Sequence, residues 1–342
     1  MKAMRIACGL AIAATTLATE LAIAQTRYRV VEMPVQGVEG PIPIAITSNG
    51  KLLVTGGPRV LVCSESKCRR LPYGSWIGLN DMGALAGYGV KPNGSGVWAV
   101  RKDPQQGGGK EYLTHGQAMA IAPDGAVVGY TGARRAFLYT DHRIDLDGLA
   151  SLYPLPMAIN INHVIVGSSQ ASDDQNHATM WVDGGAPQDL GLAPGHIASG
   201  ARAVNVAGIA VGYSYHPTRW HQPARFADGS VQVFQLPHVT DWGLATGVNA
   251  SGTVVGYFAT VGGYRAGVVE GDRMVDLNTR LLPQYAGRYR LWQATAINDA
   301  GQIAAAVVDS QGENARAVRL DPIDPLSTTG AGEQAGAAEH RP

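Results

Sequence analysis

The chain has 342 residues, 27 basic and 27 acidic side chains, no formal net charge and 44 glycines. That balance excludes the basic footprint of a nucleic-acid or anionic-membrane binder. Low charge with abundant glycine suits a turn-dense all-β protein, and about 300 residues after the leader can form one large β domain.

Residues 1–24 read as a secretory signal peptide. Lys2 and Arg5 give a charged start, a largely apolar stretch of 13 residues follows (6–18), and Ala22-Ile23-Ala24 forms an A-x-A cleavage site before Gln25. The apolar stretch is too short for a membrane span. Cys8 raises a lipoprotein alternative, but it lies at the start of the apolar stretch rather than after it. The expectation is a secreted or periplasmic protein.

From residue 45 onward one unit recurs. It has a small residue, a large aliphatic, often Asn, a turn closed by Gly, then an apolar run ending in Gly and often Tyr. Its cleanest copy is TGVNASGTVVGY, residues 246–257. The aliphatic position is held by Ile46, Leu79, Ile121, Ile159, Val204, Val248 and Ile297. The residue before it is small in all seven copies: Ala45, Gly78, Ala120, Ala158, Ala203, Gly247 and Ala296. The turn residue is Gly50, Gly83, Gly125, Gly208, Gly252 or Gly301, with His163 the exception. The steps between these turns run from 33 to 49 residues, about 42 on average.

Each unit predicts a short strand, a tight turn and a second strand buried on both faces. An invariant small residue predicts a close backbone approach, as at the crowded centre of a radial array. Third strands follow at 135–139, 177–181, 265–269 and 316–318, each opened by Arg or His before Ala. Fourth strands follow at 144–146, 231–237 and 274–277. Four strands at this period predict a seven-bladed β-propeller over residues 25–320. The last copy lacks a fourth strand, and residues 27–34 (RYRVVEMP) resemble one, so the N-terminal strand is expected to complete the seventh blade and remove the open sheet edge. Residues 321–342 carry few large apolar side chains and read as a disordered tail.

After the leader only two cysteines remain, Cys63 and Cys68, on the third and fourth strands of the first blade across a four-residue turn. In an oxidising compartment they are expected to form a disulfide. A C-x4-C metal site is the alternative, without further thiol or imidazole partners nearby.

The pattern A-x-A-I-N-x-x-G-x-x-V-G-Y followed by H-A-x-x-W resembles the HAF-type extracellular repeats of bacterial exported proteins. It is carried by residues 294–298 with Gly301, by Val248 and Asn249 with residues 252–257, and by His177 and Ala178 with Trp181. Thr47 and Ala122 depart from the Asn, and one copy keeps the His-Ala pair. The resemblance spans roughly residues 40–320. It implies an exported propeller-like repeat protein and brings no reaction or catalytic residues.

Hydrolase, zinc-protease and EF-hand signatures are absent from the sequence. Gly107-Gly108-Gly109-Lys110 lacks the leading Gly and the Ser/Thr of a phosphate loop, and residues 145–148 read as a turn rather than a calcium loop. The repeat Asn (Asn80, Asn160, Asn205, Asn249, Asn298) is expected to cap its own turn rather than hold a ligand. The candidate ligand-binding residues fall on loops of blades four to six, all expected on one face. They are Asp173, Asp174 and His177, then His196, then His216, Arg219, Trp220 and His221, then His238, Asp241 and Trp242.

Three readings compete for this cluster. Its aromatic and polar side chains, with Trp76 and Trp292, can bind a glycan or protein without chemistry. His with Asp173 or Asp174 can hold a transition metal or act as acid and base in a polysaccharide lyase or hydrolase. Or the clustering has no functional content. Non-catalytic binding by an exported monomer, with no cofactor, metal, nucleic-acid partner or membrane span, is the reading taken forward.

Overall fold

A computed structural model describes residues 26–323, apart from 73, 95, 132–134 and 239–240. The expected signal peptide and nearly all of the expected tail lie outside the described residues. Seven four-stranded antiparallel sheets are arranged as a β-propeller. Blade 5 is representative, with strands Ala198–Val204, Ala210–His216, Trp220–Ala227 and Ser230–Val233. The first strands touch one another blade to blade, and Ile42–Ile46 meets Tyr289–Ile297 to complete the ring.

The expected closure is present. Arg27–Glu32 pairs antiparallel with Arg316–Ile323, Arg27 opposite Ile323 and Glu32 opposite Val318, as the outer strand of blade 7. That partner strand runs to Ile323, whereas the sequence reading ends the propeller at 320.

Seven apolar clusters fill the seven spaces between blades. This explains why the second strands are continuous apolar runs rather than alternating ones. Val254 packs toward blade 5 while Val255, the next residue, packs toward blade 7. Both sheet faces are buried, so both side-chain sets must be apolar.

The small position behaves as the repeat implies. A Cβ on Gly247 would lie 3.2 Å from the Cα of Ala296, its counterpart in the next blade. In every blade the first strand has a bulge just before this position, for example between Ala201 and Ala203. Gly212 opposes the bulged segment, and a Cβ there would meet the Gly200 carbonyl oxygen at 2.0 Å, which excludes any side chain.

The Asn turns form one face of the ring. Each Asn accepts from a backbone N–H four residues on, as in Ile209 N to Asn205 Oδ1 at 3.0 Å. This is the turn-capping role read from the sequence. The other half of the amide reaches the next blade: Asn160 donates to the Asn205 carbonyl, Asn205 to that of Asn249, Asn249 to that of Asn298, and Asn298 to that of Thr47. Asn80 donates to the Ala122 carbonyl. Where Thr47 and Ala122 interrupt the series, a carboxylate still bridges the blades: Asp81 accepts from Ser48 N, and Asp124 pairs with His163 at 2.7 Å, while Asp299 accepts from Ala250 N beside the Asn249 bond. The second-to-third strand loops and the blade-crossing segments open on the opposite face, where the candidate residues lie.

Candidate functional site

The Cys63 and Cys68 sulfurs are bonded across the outer hairpin of blade 1. The other candidates separate into three groups.

His177 is the second residue of the third strand of blade 4, Asn176–Val182. It is buried, with Nδ1 2.7 Å from Asp189 and Nε2 3.1 Å from Asp173. The same register position is held by Arg265, which faces Asp276, and by Arg316, which pairs with Glu32 at 3.0 Å. The basic residue before Ala in the repeat therefore has a structural use as a cross-strand ion pair. Asp173 also accepts from Gln175 N, and this hydrogen bond first, then His177, holds its pKa down. Asp174 is left-handed at φ +64 and borders a cavity of about 430 Å³, with Tyr130, Tyr153, Leu155, Ser168 and Gln170 also lining it.

A second group joins the segment entering blade 5 to its second-strand loop. The rings of His196 and His216 lie edge to face at 5.1 Å. Burial is the main cause holding the His196 pKa below its ordinary value, and its Nδ1 is buried without a hydrogen-bond partner among the described residues. His216 Nδ1 accepts from Thr218 N, and the Arg219 carbonyl accepts from Gln222. His238 is exposed, and its carbonyl accepts from Asp241 N. Asp241 is buried, its Oδ2 also without a partner among the described residues.

The third group is a continuous strip of seven aromatic rings crossing from blade 5 to blade 6. His221 packs on Tyr213 at 4.6 Å and Tyr215 at 5.2 Å, Tyr215 meets Trp220, and His221 faces Trp242 at 6.3 Å. Trp242 continues to Tyr257 and to Tyr264 at 5.6 Å, which also touch each other. Trp220 is 60% exposed and Tyr264 42%. Trp220 holds a positive φ of 61°, an uncommon conformation for a bulky residue. Beside the strip, the guanidinium of Arg202 lies 6.0 Å from the Tyr213 ring. Burial first, and then Arg202, keeps His221 below its ordinary pKa and therefore neutral near pH 7. Burial pushes Tyr257 up, while Arg202 opposes that shift.

Four members of this strip (Tyr213, Tyr215, Tyr257 and Tyr264) and Arg202 were not singled out from the sequence. The signal was present in the register of the repeats. Tyr213 and Tyr257 are the Tyr of the Gly-Tyr ending, and Arg202 precedes the small residue. Conversely, Trp76 is core: it is 2% exposed and donates to the Pro72 carbonyl. Trp292 sits in blade 7, its indole N–H buried without a partner among the described residues.

His177, His196, His216 and His221 do not converge. Among the described residues, no three His, Cys, Asp or Glu side chains are grouped to hold a metal. No helix among them is long and apolar enough to cross a membrane.

No family model and no curated protein matches the chain. Among solved structures it is similar to the β-propeller domain of the Trilobed protease from Pyrococcus furiosus, at 8% identity and TM-score 0.53, over 86% of this chain and 99% of that one. That domain is described as having an open velcro topology, whereas here Arg27–Glu32 hydrogen-bonds the ring closed. A likeness also extends to the GH74 xyloglucanase from Xanthomonas campestris, at 15% identity and TM-score 0.47, over 87% of this chain and 44% of that one. At these identities the shared feature is the fold.

Proposed function

We propose that the protein is an exported, monomeric, non-catalytic binding propeller whose ligand is a carbohydrate chain lying on the aromatic strip of blades 5 and 6. The observation that carries this is the strip itself: exposed ring faces combined with phenol groups that have no internal use. Among the described residues, the hydroxyls of Tyr213, Tyr215, Tyr257 and Tyr264 make no hydrogen bond, whereas Tyr130 donates to Gln117 and Tyr289 to Glu32. Apolar faces edged with free hydroxyls match a ligand with C–H faces and hydroxyl rims. Export is supported by the leader read in residues 1–24 and by the disulfide. The repeat residues support a place among the HAF-type exported proteins.

One observation favours a second reading as a polysaccharide lyase. His221 is a neutral base packed between two phenols with a guanidinium nearby, the group types needed to take and return a proton. Oligosaccharide-array binding tests the first reading. Binding that is lost in Trp242→Ala and kept in Tyr130→Phe is the expected result, and binding unaffected by Trp242→Ala overturns it. Release of chain ends carrying a new C=C bond would establish the lyase.

A further inference from the structure

We infer that the strip selects an acidic carbohydrate, a chain containing uronate residues, with Arg202 pairing the sugar carboxylate. This rests on the reading of the strip as a carbohydrate site.

The seven bulge positions of the first strands are equivalent by register, and their residues are Ile44, Ile77, Met119, Met157, Arg202, Thr246 and Thr295. Six are uncharged, so the fold does not call for a cation there. Arg202 is exposed, and among the described residues it makes no hydrogen bond or ion pair. Other arginines of the ring are neutralised: Arg101 pairs with Glu111 at 2.8 Å, Arg280 with Glu270 at 2.7 Å and Arg319 with Asp321 at 2.6 Å.

The free guanidinium borders the strip from the side. It approaches the Tyr213 ring, and its field is felt at both His221 in blade 5 and Tyr257 in blade 6. Neither neighbour supplies compensating charge, since His221 stays neutral and Tyr257 un-ionised near pH 7. Asp241, next to Trp242 in the chain, is buried, and its Oδ2 is closed to solvent. What fits is a ligand with sugar faces for the rings and a carboxylate for the fork. A guanidinium matches a planar carboxylate through two parallel N–H···O bonds, which an ammonium cannot reproduce.

The test is titration calorimetry of the full chain with oligogalacturonate, a neutral cello-oligosaccharide and a sulfated dextran. It is run on the natural protein, Arg202→Gln, Arg202→Lys and Trp242→Ala, with circular dichroism confirming that each variant is folded. The expected result is binding of oligogalacturonate that weakens with added salt and drops about tenfold or more in Arg202→Gln. Arg202→Lys should recover part of the loss. Neutral sugar bound as tightly as uronate, or uronate binding unchanged in Arg202→Gln, overturns the inference and leaves the carbohydrate site standing. Preference for the sulfated chain over the uronate also overturns it. Failure of all three sugars to bind overturns the carbohydrate reading itself.

Discussion

The side-chain amide of Asn205 donates to the backbone carbonyl of Asn249 at 3.0 Å, joining blade 5 to blade 6 on the face formed by the Asn turns. Its Oδ1 meanwhile accepts from Ile209 N and Ala207 N within its own turn. Only a side chain that accepts at one atom and donates at the other serves both. Asn205→Asp keeps the turn cap but sets a carboxylate oxygen against a carbonyl. With Asn205 only 4% exposed, the loss should be about 1–3 kcal/mol in denaturant unfolding. A variant as stable as the natural protein would show that the inter-blade bond contributes nothing net.

The ring is closed by hydrogen bonds and burial along Arg27–Glu32, where Tyr28, Val30 and Val31 are core residues. Burial also pushes the Tyr28 hydroxyl up to about 12, in keeping with its place in the core between blades 6 and 7. Deleting residues 27–33 should expose the edge of Arg316–Ile323 and leave a protein that unfolds at much lower denaturant or self-associates. Size-exclusion chromatography with denaturant unfolding checks this. An unchanged monomer of unchanged stability would mean that blade 7 stands without its outer strand.

The architecture was legible because the ring imposes the same demands seven times. A small residue where neighbouring first strands touch, and Gly against a bulged strand, are steric necessities that recur at one period. The second half of the Asn role was not legible, since its acceptor is a backbone carbonyl 44 residues away, and backbone acceptors leave no mark in sequence. The candidate site was half legible. Trp220, His221 and Trp242 stand out by residue type, but Tyr213 and Tyr257 look like routine repeat endings until the rings are seen to meet. His177 stood out for the opposite reason, as a chemically versatile residue at a position that blades 6 and 7 fill with arginine.

Reduction of the Cys63–Cys68 bond should have a modest effect. It closes a short loop on an outer hairpin already paired in register, so the chain-entropy contribution is on the order of 2 kcal/mol. Thermal unfolding with and without reductant should show a small drop in Tm and no loss of strip-dependent binding. Loss of binding on reduction would couple blade 1 to the site proposed in blades 5 and 6.

His196 and His221 make stability depend on pH. Both have folded pKa values held below 6.5, burial being the first cause for each. In the unfolded chain they protonate near that ordinary value, so the unfolded state binds more protons in the window just below it. Their stabilising contribution is complete above about pH 6.5 and is lost as the pH falls toward their folded pKa values. Denaturant midpoints measured between about pH 5 and 7 should decline toward the acid side, and the slope should flatten in His196→Gln and His221→Gln. An identical slope in both variants would assign the decline to other groups.

Trp220 sets stability against binding at one residue. The residue is 60% exposed, so little apolar burial offsets the positive φ of 61° that its backbone adopts. A left-handed conformation in a bulky residue costs of order 1–3 kcal/mol, and such strain concentrates where a side chain must be presented to a ligand. Trp220→Gly removes the strain and the ring together, while the added flexibility of glycine in the unfolded chain returns part of the gain. The expected variant is as stable as the natural protein or up to about 1 kcal/mol more stable, and binds the proposed carbohydrate ligand more weakly. Trp220→Ala separates the two effects, because it removes the ring and keeps a Cβ in the left-handed region. If both variants bind normally, Trp220 lies outside the ligand's path, and the strip begins at Tyr215 and His221.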